Sequence, residues 1–463
     1  LGFAALAWPS VASAHAFEIG RADVPIPIWL FIWGAAAVLV ASFVALSIGW
    51  RTARLEREQW RPLSQAVSQM VINPITEVLC GVAGVALLGV VVWSGIEGTD
   101  VAEINFSVTF VFVTFWLGGV LASVVLGNVY RAFNPWRAIA RLGALALRLT
   151  LGRRVSPPLS YPQRLGRWPA AAGLVAFVWM ELISGAQGPG VTPRATAIAA
   201  LIYTLYSLCG MALFGIEPWV SRAETFSVYF GMFAELSAFE VRNSRLGIRR
   251  PLSGVSGWAK VPGSIAVVVA TVAGTAFDGA QDGLLQHPIA TVFLRLERLG
   301  LSLATATKVA ETLFFALSIA VVAGIYWAGV RGMRTVEGSP RLAQLGTRFA
   351  HTLIPIGLAY LTAHYFSYFF FGEQDQFSYL ITDPLGTGST GQIYLASLSA
   401  NLIWYVQVAA LVAGHVTGLI LGHDKALAVY GGVKRAALSQ RWMLLMMVTF
   451  TCLGLYLLSR ANG

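Results

Sequence analysis

Charge is the first thing this sequence has little of. Its 463 residues include 32 Lys and Arg and 22 Asp and Glu, 12% in all, while 56% are hydrophobic. Soluble domains carry about twice that charge. The apolar residues also fall in long uncharged runs, not in stripes, which excludes a soluble globular chain. Cysteine is scarce as well. Cys80, Cys209 and Cys452 each sit inside an apolar run, with no Cys or His at metal-ligand spacing, so neither a disulfide framework nor a zinc ribbon is encoded. Of the residues suited to catalysis, His occurs six times. His-x-His, His-Glu-x-x-His, Walker A and Gly-x-Ser-x-Gly patterns are absent, so the machinery of soluble hydrolases is not visible. There is no internal repeat, low-complexity tract or soluble domain.

The net charge of +10 does not point to nucleic acid, because Arg and Lys gather in loops between apolar runs and no aromatic–basic platform accompanies them. The expected partner is a lipid bilayer. The fold class read from the chain is all-α, a polytopic transmembrane helix bundle of about ten spans. These lie near Ile28 to Trp50, Val78 to Trp93, Ile104 to Leu126, Trp168 to Ser184, Ala195 to Phe214, Val261 to Phe277, Val309 to Val330, Phe349 to Phe371, Tyr394 to Leu421 and Trp442 to Leu458. The run Thr225 to Phe239 is short, contains Glu235 and precedes a basic loop, so it is expected to be re-entrant or interfacial.

Basic loops fix the direction. Arg51, Arg54, Arg57 and Arg61 follow the first span, and the loop 127–167 holds eight arginines and no acidic residue. Both are expected inside, with Pro135 to Leu149 lying along the inner leaflet as an amphipathic helix capped by Asn134. Residues 1–14 resemble the end of a secretory signal, with Ala12-Ser13-Ala14 as the cleavage site. Residues 15–463 then form one transmembrane domain, in a bacterial inner membrane, with the mature N-terminus and the C-terminus outside.

Ionisable residues at membrane depth are costly and mark function. Glu181, Asp278 and His364 fall in the outer half of the predicted bundle, as does His15, whose amine and imidazole make it a candidate copper ligand. His415, His423 and Asp424 fall nearer the inner side. The two histidines share a broad helix face but stand about 12 Å apart, too far to bind one ion together. Carboxylate and imidazole donors suit a divalent metal that activates water. The candidate catalytic residues are therefore Asp278, His364 and Glu181. The candidate metal ligands are His15, His364, His415, His423 and Asp424.

Several segments together resemble the fenitrothion hydrolase family of bacterial integral membrane proteins. They are Ala14 through Leu30, Gly127-Asn128 with Asn134-Pro135-Trp136-Arg137, Thr275 through Gly279, Ala363-His364-Tyr365-Phe366, and Gly414-His415-Val416 through His423-Asp424. The resemblance runs over nearly the whole chain. It implies hydrolysis of an organophosphorus triester, a small apolar substrate that partitions into lipid, and carries over no assigned catalytic residue. A proton-coupled transporter or channel and a copper- or haem-binding membrane protein are the other function classes compatible with these residues.

Overall fold

The computed structural model describes residues 28–56, 60–153, 155–185, 191–281, 283–388 and 393–461. His15, the signal-like segment 1–14, Arg57 and Asp282 lie outside them.

The chain is a helix bundle, and its apolar runs set where the helices fall. The first, α1 (Ile28–Gly49), is followed by strand β1 (Arg61–Pro62) and a short α2 (Gln65–Val71). Asn73 caps α3 (Pro74–Glu97) by accepting from Thr76 N, and Pro74 supplies the fixed φ of a first helical residue. The next rod changes winding along its length. It begins as α4 (Phe106–Thr109), continues as a π-helical stretch over Phe110–Gly118, and ends as α5 (Gly119–Leu126). After α6 (Tyr130–Phe133), Asn134 caps the amphipathic α7 (Pro135–Leu151). Then follow α8 (Trp168–Leu182), α9 (Pro193–Phe214), α10 (Ile216–Arg222) and α11 (Thr225–Ala234). A hairpin of β2 (Phe239–Arg242) and β3 (Arg245–Ile248) leads to α12 (Ser264–Gln281), the amphipathic α13 (Gln286–Arg298) and α14 (Leu303–Met333). The rest is helical: α15 (Leu342–Phe349), α16 (Ile354–Thr382), α17 (Ala400–Tyr430) and α18 (Val433–Ala461).

Nine helices among the described residues are long and apolar enough to cross a bilayer, which makes this a multi-pass membrane protein. The remaining expected span, α8, has 15 residues. At 1.5 Å per residue it reaches about 22 Å, short of the ~30 Å hydrocarbon core. As expected, α11 does not cross. Its cap Glu224 accepts from Asn134 Nδ2 at 2.9 Å, and Ser237, just past its end, donates to Val125 O at 3.4 Å. Both ends thus engage the same short stretch of chain. Most of its side chains are buried in protein, the condition under which a non-spanning helix is tolerated at membrane depth.

The hairpin was not legible in the sequence. β3 pairs with both β2 and β1 in an antiparallel sheet of order β1-β3-β2. It joins the loop after α1 to the loop after α11. Lys425 Nζ meets Glu56 at 2.8 Å, and Arg167 Nη1 donates to Trp258 O at 2.7 Å, so the basic loops gather on one face. On the opposite face Thr99 N donates to Leu385 O at 2.8 Å, joining two loops that carry acidic residues.

Close helix approach relies on particular glycines. A Cβ at Gly84 on α3 would run into the carbonyl oxygen of Phe133, which is backbone and cannot swing aside. Gly84→Ala is expected to lose about 2–3 kcal/mol through overpacking, read as a lowered thermal midpoint in detergent.

Candidate functional site

Asp278 lies in the last turn of α12, and His364 and Tyr365 lie about three turns into α16. Packing of these two helices closes a cluster between residues 86 positions apart. His364 Nε2 and Asp278 Oδ2 are 2.8 Å apart, and Tyr365 Oη donates to the same oxygen at 2.5 Å. Gln281, one turn on from Asp278, donates to Oδ1 at 3.0 Å. With Asp278 ionised, His364 donates from Nε2, and its Nδ1 carries the lone pair. That nitrogen is near Gly279, in the wall of a small cavity of about 20 Å³ shared with Thr275, Tyr360 and Leu411. The volume suits about one water.

Glu181, on α8, is 8% exposed and neither carboxylate oxygen has a hydrogen-bond partner among the described residues. It is close enough to Asp278 for the two carboxylates to repel. A buried carboxylate without a donor is costly and marks a place where a proton or cation is exchanged. Trp116 Nε1 and Tyr229 Oη also lie in this region, approaching one another without meeting hydrogen-bond geometry. Trp116 belongs to the π-helical stretch and packs against Tyr365 with ring centres 5.4 Å apart. Such local unwinding recurs at functional sites because it re-aims side chains within a helix.

The three catalytic candidates therefore meet in one region. Sequence reasoning missed Tyr365, Gln281, Trp116 and Tyr229. Tyr365 stands beside His364 and Gln281 at i+3 from Asp278, so both were within reach of helical spacing. Nothing in the sequence signals the approach of Trp116 and Tyr229.

Among the described residues no three His, Cys, Asp or Glu side chains converge to hold a metal. His415 Nδ1 bonds to Leu411 O on its own helix at 2.7 Å. His423 uses both ring nitrogens, Nε2 to Trp50 O at 2.9 Å and Nδ1 with Gln440 Nε2 at 3.2 Å. Asp424 accepts from Trp50 Nε1, Arg54 N and Leu55 N at 2.9, 2.5 and 3.0 Å. These last two residues fasten the end of α1 to α17.

A second polar knot surrounds the Asn-Pro-Trp-Arg segment. Arg137, 3% exposed, reaches Glu217 Oε1 from Nε and Nη2 at 3.1 and 2.8 Å and Glu77 Oε1 from Nη1 at 2.6 Å. Asn134 Oδ1 caps α7 while its amide donates to Glu224, which itself caps α11. The motif is accounted for by these helix ends.

Comparison with protein-family models, curated proteins and solved structures gave no match.

Proposed function

We propose that this chain handles protons within the membrane, as a proton-coupled transport protein whose relay is the Asp278–His364 pair with Glu181. The observation that carries this reading is the buried Glu181 carboxylate, without a donor among the described residues, beside a hydrogen-bonded imidazole–carboxylate pair. Asp278 holds the imidazole in one orientation, and Nδ1 takes up or gives the proton on the side of the one-water cavity. Glu181 and Asp278 repel when both are ionised, so a single proton shared in this region is favoured.

The membrane is a bacterial inner membrane in this reading, with the basic face cytoplasmic and the mature N-terminus and C-terminus outside. The gathering of Arg- and Lys-bearing loops on one face supports that orientation.

The test is an infrared difference spectrum recorded across a pH step. A protonated-carboxyl band is expected in the wild-type protein, lost in Glu181→Gln and Asp278→Asn. Proton uptake by proteoliposomes under an imposed potential should fall about a hundred-fold in either variant. A wild-type protein with no titrating carboxyl band sinks the proposal.

Hydrolysis of an organophosphorus triester is the second reading. The resemblance of the sequence supports it. In that chemistry His364 Nδ1 is the general base for a water. Purified protein releasing nitrophenolate from fenitrothion, with the activity lost in His364→Ala, would replace the transport reading. Sensitivity to a chelator reports whether a divalent metal assists.

A further inference from the structure

We propose that protons reach the Glu181–Asp278 region from the face that carries the acidic loops, along one side of α16, through the Tyr368 hydroxyl and the Asp375 carboxyl. The inference deepens the proton-handling reading and rests on it.

The route begins as a pattern. Tyr365, Tyr368, Gly372, Asp375 and Tyr379 recur at steps of three and four residues, which places them on one face of α16. The stripe is about 21 Å long at 1.5 Å per residue. It lies against the rod that begins with α4 and against the turn before that rod. Tyr365 packs on Trp116, a Cβ at Gly372 would stand 3.1 Å from Val113 Cγ1, and Tyr379 Oη donates to Glu103 O at 3.4 Å. These contacts step backward along the rod as α16 advances, so the two segments run antiparallel and the stripe ends at an acidic loop.

Its polar groups join the two ends. At the inner end Tyr365 donates to Asp278. Tyr368, about one turn further on, is within electrostatic reach of Glu181 and Asp278 on one side and of Glu103 on the other. Asp375, about two turns beyond, is 3% exposed, and its Oδ1 has no partner among the described residues. Tyr379 stands beside Asp375 and within reach of Glu103, which is exposed and meets the medium. The titratable groups facing this stripe from neighbouring elements are thus Glu181 on α8, Asp278 on α12, Glu103 before α4 and, beside Tyr365, Tyr229 on α11. Glu373 is turned away from it, toward Thr114. Packing alone gives no reason for Asp375, since a buried carboxyl oxygen without a donor destabilises the bundle.

Each group passes a proton without keeping a charge. The Tyr368 hydroxyl accepts a proton on its oxygen lone pair as it gives its own toward Glu181. The Asp375 carboxyl takes a proton on one oxygen and releases one from the other. One proton enters and one leaves at each step, and rotation of the O–H groups resets the chain.

The experiment is time-resolved infrared spectroscopy of the intact protein in nanodiscs after a pH jump. The readout is the rate at which the carboxyl signal that Glu181→Gln removes follows the jump. Tyr368→Phe keeps the ring beside Tyr365, 6.4 Å between centres, and should slow that rate about a hundred-fold with the final amplitude unchanged. Asp375→Asn should slow it to a similar degree, and it decides alone should Tyr368→Phe fail to fold. A role in packing only would lower the thermal midpoint and leave the rate as in wild type. A Glu181 signal that follows at the wild-type rate in either folded variant overturns this route while the proton reading stands. A wild-type protein without that signal overturns both.

Discussion

Arg137→Met is expected to cost about 2–3 kcal/mol, because it removes the one buried guanidinium that Glu77 and Glu217 share, with its charge-assisted hydrogen bonds. Arg137 is the buried member of the network, with its side chain 4% exposed against 44% for Glu77 and 50% for Glu217. Arg131 and Arg141 also reach Glu217, at 3.1 and 3.2 Å, but their own side chains are 58% and 42% exposed. Exposed pairs of that kind contribute about 0–1 kcal/mol, so they cannot replace Arg137. The geometry matters too. Nε and Nη2 grip one oxygen of Glu217 while Nη1 turns to Glu77, a fork that Lys cannot reproduce, so Arg137→Lys should recover little. Denaturant titration in mixed micelles gives the loss. Replacing Glu77 and Glu217 by Gln in the Arg137→Met background should restore part of it, since the mutual repulsion of the two carboxylates is then gone and the exposed Arg131 and Arg141 stay solvated. A single variant within about 1 kcal/mol of wild type would show that the knot does not hold the fold.

The same network carries a pH signature. Partial burial pushes the Glu217 carboxyl up, but the Arg137, Arg131 and Arg141 guanidiniums outweigh it and hold the group below the usual carboxylate range. A carboxyl lowered on folding contributes stability that is present above its unfolded pKa of about 4.3 and lost as pH falls through the lowered folded value. The gap between wild type and Arg137→Met should therefore be full at neutral pH and shrink in acid below about pH 4.

Asp424→Ala is the second large effect expected, about 3 kcal/mol or more. The carboxylate takes three donors from the end of α1 and the turn after it, and it is 2% exposed. Removing it leaves Trp50 Nε1 and the amides of Arg54 and Leu55 without an acceptor, and each stranded donor costs about 1–3 kcal/mol where water cannot reach. Asp424→Asn keeps one acceptor oxygen and should recover part of the loss. His423 supports the same junction through Trp50 O, so His423→Ala and Asp424→Ala should couple strongly in a double-mutant cycle. Metal analysis separates this from the ligand reading. An Asp424→Ala protein as stable as wild type but depleted of a bound metal would overturn the structural account.

Much of the architecture was legible because a bilayer makes it a one-dimensional problem. A span must be a continuous apolar run of sufficient length, and such a run is local in sequence. The stretches around α1, α9, α14 and α17 announce themselves in that way. Asn134-Pro135 marked the start of α7 through cap chemistry, which is equally local. The short, Glu235-containing run reads as re-entrant or interfacial from its length and the charge after it, and α11, with 10 residues, is too short to span. The weaker boundaries were those set by neighbours. α8 stops at Leu182 with 15 residues, and α16 runs on to Thr382, well past the Phe371 at which its apolar signal fades.

The candidate site divides along the same line. Which ionisable residues lie at depth is a property of composition, so Asp278, His364 and Glu181 were visible one by one. That Asp278 and His364 share a hydrogen bond depends on the rotation and axial register of α12 against α16, and no local pattern encodes either. The same holds for His423 and Asp424, whose bonds to Trp50, Arg54 and Leu55 form only once the turn after α1 is laid against them. The sequence by itself determined a many-helix membrane protein, its basic and acidic loops and a short stock of buried ionisable groups, because hydrophobicity and insertion act on each segment alone. Tertiary structure decided which of those groups meet and which are spent on holding helices together, because those outcomes follow from packing between segments far apart in the chain.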